Sequence, residues 1–146
     1  MKRDDIRQEI VAAARAWIGT PYRHQASLQG VGCDCLGLLR GVWRNVYGAE
    51  PERPPGYARD WAEAGGDEPL LAAARRHLVE LAVDEAAAGD VLVFCYRPST
   101  SAKHVAILAT PTTMIHAAEG ASVAEVALLP WWRRRIAAAF AFPYRD

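Results

Sequence analysis

Apolar residues return at helical spacing through the first part of the chain and at strand spacing through the second. Ile6, Ile10, Val11, Ala14, Trp17 and Ile18 share one face of a 3.6-residue period that Gly19 and Pro21 end. This predicts an amphipathic helix over residues 6–18, opened by a capping box of Asp5 and Gln8. Leu38, Leu39, Val42, Trp43 and Val46 mark a second helix that starts at Asp34 and stops at Gly48 and Pro51. A proline-rich loop over residues 51–56 leads to a short helical piece over 57–64 and a third helix, opened by Asp67 and running to Ala82. After Gly89 and Asp90 the period shortens to two, and residues 91–96, 103–109, 113–117 and 123–128 read as an antiparallel meander. A short basic segment, Trp131 to Arg135, then precedes a last strand over 136–143. Helices followed by strands predict an α+β domain with the amino-terminal helices packed on an antiparallel sheet.

Composition narrows the picture to one domain over residues 1–146. Of the 146 residues 51% are hydrophobic, enough for one core and too few in number for two. Seventeen basic and seventeen acidic residues give a formal net charge of +0, so nucleic acid is not an expected partner. No uncharged apolar run reaches the ~18 to 20 residues that span a bilayer, which speaks against membrane insertion. Early charges, with Arg7, Glu9 and Arg15, interrupt any secretory h-region, and the expectation is a protein made in the cytoplasm without a signal peptide. The three cysteines, Cys33, Cys35 and Cys95, are odd in number and the first two too close for an unstrained bridge, so free thiols are expected.

Among candidate chemical groups, Cys35 falls in the first turn of the second helix behind Asp34, a cap residue. Unpaired N–H groups and the helix dipole there lower a thiol pKa and favour a nucleophilic thiolate. A buried helical cysteine acting as a small hydrophobe fits the same spacing. Of the four histidines, His24 and His77 lie in polar surroundings and read as solvated, whereas His104 and His116 lie inside apolar strands, where an accidental imidazole is harder to tolerate. A hairpin with an odd-numbered loop such as residues 109–111 puts them opposite each other on one face, as a base and its orienting partner need to be. A zinc site of Cys33, Cys35, His104 and His116 is the rival reading, disfavoured by the Cys-x-Cys interval. Cys95 reads as core packing.

The blocks Trp17-Ile18-Gly19-Thr20-Pro21-Tyr22, Gly32-Cys33-Asp34-Cys35-Leu36-Gly37-Leu38, Gly89-Asp90-Val91-Leu92-Val93-Phe94, His104-Val105-Ala106-Ile107 and Met114-Ile115-His116-Ala117 resemble, in that order, the NlpC-type cell-wall cysteine endopeptidases. The ending, Trp131-Trp132-Arg133 through Phe140-Ala141-Phe142-Pro143, is similar to the subgroup carried by tailed phages and gene transfer agents. The resemblance implies a compact papain-like fold without a cofactor. It also implies hydrolysis of peptidoglycan stem peptides, typically between D-glutamate and a diamino acid. It makes Cys35 the nucleophile, His104 the base and His116 its orienter. Tyr22 matches a tyrosine of the oxyanion and substrate site, and Asp34 the acidic residue before the nucleophile, for capping or contact with a substrate amine. Leu36, Gln25-Ala26 and Ala106 depart from the family's usual serine, glycine pair and glycine, which bears on the substrate subsites. The implied partners are stem peptides and the tip or hub proteins of a phage-like tail, and the implied location is such a particle. The alternatives are a non-catalytic tail component and a zinc-stabilised binding module. The run Arg133 to Arg135 reads as a short helix with buried indoles and solvated guanidinium groups, or else as a docking surface.

Overall fold

In the first helix, α1 (Arg3–Ala16), Asp4 and Asp5 stand in the first turn and Arg15 in the last, complementing the helix dipole at both ends. The helix begins upstream of the predicted capping box, so Asp5 lies inside it. Ile6, Ile10, Val11 and Ala14 are buried, while Ile18 lies beyond the helix and is exposed. The computed structural model describes residues 3–51, 68–98 and 100–144; the predicted helical piece over 57–64, the loop beyond Pro51 and the helix-opening Asp67 lie outside them.

The second helix, α2 (Cys35–Tyr47), matches its prediction, with Asp34 as N-cap and Gly48 as C-cap at φ 94°. It packs against α1 through Gly41, where a Cβ would collide with the buried Trp17 indole. The stretch before α2 holds a small hairpin absent from the sequence reading, β1 (Ser27–Leu28) and β2 (Gly32–Cys33). The third helix, α3 (Pro69–His77), starts at a proline suited to the first helical position and ends five residues before Ala82. Residues predicted to continue it form instead an edge strand, β3 (Val79–Leu81), because they can pair with the last strand of the sheet.

The other strands are β4 (Val91–Phe94), β5 (His104–Thr110), β6 (Thr113–His116), β7 (Ala124–Ala127) and β8 (Ile136–Ala141), in the spatial order β3-β8-β4-β5-β6-β7. All neighbours are antiparallel. The meander holds for β4 to β7, but β8 returns to lie between β3 and β4. Before it stands one turn of helix, α4 (Pro130–Arg133). Val91, Val93, Val105, Ile107 and Ile115 face Ile6, Ile10, Leu38 and Val42 of the helices. On the opposite face Leu92, Phe94, Ala106, Leu108 and Met114 are covered by Leu128, Trp132 and Ile136. Burial on both faces makes β4 and β5 nearly continuous apolar runs, where the sequence reading expected a period of two.

Helices and sheet are tied together at Gly89-Asp90. The fully buried Asp90 carboxylate accepts from Arg7 Nε at 3.0 Å and Nη2 at 2.7 Å, and from the Ala87 N–H at 2.9 Å. Gly89, at φ 95°, lies so close to the Arg7 backbone that a Cβ would meet it at 2.5 Å. Removing one partner of a buried ion pair strands the other charge. Asp90→Ala is therefore expected to lower the unfolding free energy by roughly 3–5 kcal/mol, measured by urea denaturation.

Candidate active site

Asp34 fixes the point at which α2 begins. Its side chain is 3% exposed as a residue, and its two oxygens accept from two separate segments: Oδ1 from the Gly37 N–H and Oδ2 from the Gln25 N–H, each at 2.7 Å. Gln25 carries φ 64°, a left-handed conformation held by that bond. His24, expected to be solvated, is half-buried with Nδ1 3.9 Å from Asp34 Oδ2. Gly37 is required because a Cβ there would collide with the Ala26 carbonyl. These contacts set Cys35 as the first residue of α2. Cys33, on β2, is fully buried in the main core, with its thiol pushed up to about 12 by burial and then by Asp34 and Cys35.

Cys35 Sγ faces the Lys103 carbonyl oxygen at 3.9 Å. That carbonyl belongs to the residue before His104, so the thiol lies beside the entry to β5. Burial pushes the thiol up to about 11. The Val105, Leu36 and Cys35 N–H groups oppose the shift and Asp34 adds to it. The lowered thiol pKa expected from the helix start is thus overturned, because loss of hydration outweighs the N–H donors.

His104 and His116 come together, though not directly opposite each other. The register pairs Ile107 with Ile115 and Leu108 with Met114, then shifts between Leu108 and Thr110 before a two-residue turn. Continued one step, it sets His116 beside Ala106, two residues along β5 from His104. The pairing of Thr110 with Thr113 alone would set the two histidines on opposite faces; the one-residue shift reverses that parity, so both rings are on the same face and meet diagonally, His104 Nε2 to His116 Nδ1 at 2.9 Å. Burial, then His116 and Lys103, push His104 down to about 3, and burial pushes His116 down as well. Two neutral imidazoles share that bond as one donor and one acceptor, leaving His104 Nδ1 for another partner.

Two site residues escaped the sequence reading. Tyr96 lies 5.8 Å from the His104 ring at 27°, and Trp132 lies 5.5 Å from it, also at 27°. Burial pushes the Tyr96 phenol up to about 12, with Cys35, Tyr22 and Glu119 adding to the shift, which puts Tyr96 within electrostatic reach of the thiol and of half-buried Tyr22. The paired tryptophans were the available signal, but only the second indole is drawn inward, and Trp131 remains 43% exposed against the expectation of burial. His77, half-buried at the end of α3, and Cys95, half-buried after β4, form no part of the cluster. Among the described residues no three His, Cys, Asp or Glu side chains converge as a metal cradle. An apolar cavity of about 310 Å³ between α2, α3 and the sheet borders the site only through Leu36 and Val105.

A model of the NlpC/P60 family matches residues 19–139. Among curated proteins none matches. Among solved structures, the NlpC/P60 domain of the peptidoglycan hydrolase SagA is 29% identical, covering 94% of this chain and 98% of that one at a TM-score of 0.61. RipB, a peptidoglycan hydrolase from Mycobacterium tuberculosis, is 20% identical, covering 97% and 67% at 0.60. An NlpC/P60 family protein from Bacillus cereus is 19% identical, covering 93% of this chain but only 40% of that one, at 0.67. The last two likenesses, below a quarter identical, concern the fold alone.

The depressed His104 pKa has a consequence for stability. In the unfolded chain the imidazole takes up a proton near its ordinary 6.5, whereas folded His104 does so only near 3. Between those values the unfolded state binds more protons, so stability is fully present above pH 6.5 and falls as the pH drops towards 3. Each unit of that window is worth about 1.4 kcal/mol per group. His104→Gln is expected to flatten this acid limb in denaturation midpoints recorded from pH 7 to 4.

Proposed function

This chain belongs to the NlpC/P60 family, and from that premise we propose that it is a cysteine peptidase hydrolysing stem peptides of peptidoglycan, with the D-glutamyl to diamino acid bond as its target. The observation that carries the reading is the buried 2.9 Å contact between His104 and His116 at the strand entry that Cys35 Sγ also faces. Cys35 is the nucleophile, His104 the base and His116 its orienter. With thiol and imidazole both neutral at rest, the Sγ proton passes to His104 Nδ1 as sulfur attacks the scissile carbonyl. N–H groups at the start of α2, with Tyr22 beside them, stabilise the oxyanion. His104 then gives the proton to the leaving amine. Water activated by the neutral imidazole releases the acyl group and restores the thiol. Asp34 acts through the helix it caps, its two oxygens accepting from the Gly37 and Gln25 N–H groups.

Leu36 packs against the core where the family usually has serine, and the Ala106 methyl fills the face that carries His104. Both leave the three reacting side chains in place. The similarity of the ending, Trp131 through Pro143, supports the finer reading that the enzyme acts from the tail of a phage-like particle and opens the recipient wall.

Purified sacculi digested with wild type and variants, with fragments identified by mass spectrometry, test the chemistry. Cys35→Ala is expected to fold and release nothing, and full retention of hydrolysis would overturn the peptidase reading. His104→Ala is expected to lose roughly 10²- to 10⁴-fold in rate, and His116→Ala to keep residual activity because the base survives without its orienter. The delivery reading is tested separately by quantitative mass spectrometry of washed particles. It expects the chain in stoichiometric amount, and its absence there would end that reading alone.

A further inference from the structure

We propose that Trp132 is a positioning residue for the imidazole pair, its indole holding His104 and His116 in their mutual orientation and shutting water from both. The proposal deepens the reading of this site as a peptidase centre and rests on it for the link to turnover. Trp132 approaches His104 nearly parallel and His116 edge-on, at 5.4 Å and 88°, while the two imidazoles stand at 80° to each other. One planar side chain therefore contacts both rings of the hydrogen-bonded pair, each in a different orientation. The indole also packs on Phe94, ring centroids 5.1 Å apart at 66°, which leaves it little freedom to tilt.

The segment that carries the indole is held from both sides. A single turn such as α4 has too few internal bonds to be stable alone. Arg133 Nη2 donates to the Pro111 carbonyl at 3.2 Å, tying α4 to the β5–β6 turn. Arg135 Nη1 donates to the Trp131 carbonyl at 2.7 Å and Nε to the Tyr96 carbonyl at 3.2 Å, tying it to the end of β4. The Arg135 guanidinium also covers the Trp131 ring at 3.7 Å. Strand entry, turn and basic segment are thus clamped around one indole. The titratable and charged groups nearest the imidazole pair are Lys103 at the entry to β5, with Cys35 of α2 against its carbonyl, and Tyr96 after β4, while the one charge of α4, Arg133, is directed to the Pro111 carbonyl. The contribution of α4 is a dry, planar wall.

Trp132→Phe, Trp132→Leu and Trp132→Ala, each first checked for folding by thermal melting, separate positioning from bulk packing. For stem-peptide hydrolysis, Trp132→Ala and Trp132→Leu are expected to lose kcat about tenfold or more with KM little changed, and Trp132→Phe to recover most of the loss. Equal kcat for Leu and Phe would reduce Trp132 to filler and overturn the proposal. A readout independent of turnover is the NMR titration of both histidine rings in a Cys35→Ala background. There Trp132→Ala should raise the imidazole pKa values by about one unit or more through hydration, and an unchanged titration overturns the proposal. Wild type that cleaves no stem peptide would refute the peptidase reading, while the titration would still decide the role of Trp132.

Discussion

The site depends first on a buried carboxylate that is not itself a reacting group. Asp34 is nearly inaccessible, and a bare carboxylate there would be strongly disfavoured. Two short charge-assisted bonds from backbone N–H groups offset that loss, and they come from segments on either side of Asp34, Gln25 before it and Gly37 after it. One fixes the first turn of α2 and with it Cys35. The other fixes Gln25 in a left-handed conformation and with it the path from Tyr22 into the β1–β2 hairpin. The Pro21 carbonyl then accepts from the Cys33 N–H at 3.0 Å, and Cys33 returns its own carbonyl to the Arg23 N–H at 3.0 Å. Cys35 and Tyr22, thirteen residues apart in sequence, are thereby held in one frame of backbone bonds.

The second constraint is dryness. Cys35, His104 and Tyr96 are all displaced towards their uncharged forms by burial, although they differ in acid or base character. A centre built this way stores no ion pair at rest. Under the proposed reaction, charge would appear only when a carbonyl is attacked, and in a poorly hydrated site the N–H groups would then act on the developing oxyanion with little competition from water. The same burial makes the imidazole pair a liability in acid, because protonating either ring inside the fold is opposed by hydration lost and by the neighbouring ring.

The sequence made α2 and its cap legible because every determinant is local: Asp34, Gly37 and Gly48 act within a few residues of the helix. The apolar runs likewise exposed β4, β5 and β6. What stayed hidden was decided by partners distant in sequence. Val79, Glu80 and Leu81 continue a plausible helical face, and only pairing with Ala141, Phe140 and Ala139 turns them into a strand. His104 and His116 could be assigned to one face by parity, but the bulge at the β5–β6 turn, which makes them diagonal neighbours, has no clear local signature. The thiol was misjudged for a related reason. Proximity to a helix start is visible in a sequence, whereas the depth at which that start is buried is not.

The strand entry also brings a thiol on a helix to the strand that carries His104, whose neighbour Val105 faces the other side of the sheet. Leu108 N–H bonds the Asp90 carbonyl at 2.9 Å, and the two-residue alternation then turns the His104 N–H and carbonyl towards β4 as well. The Lys103 carbonyl and Val105 N–H consequently point away from β4, towards the position a longer β6 would fill. That strand ends at His116, and the sulfur of Cys35 lies against the Lys103 carbonyl and the Val105 N–H. Had β6 continued in register past His116, its backbone would compete for the Lys103 and Val105 groups and push the thiol out. The shortness of β6 is therefore part of the site: it leaves a slot at the strand entry where the Cys35 sulfur meets the Lys103 carbonyl, one residue before His104.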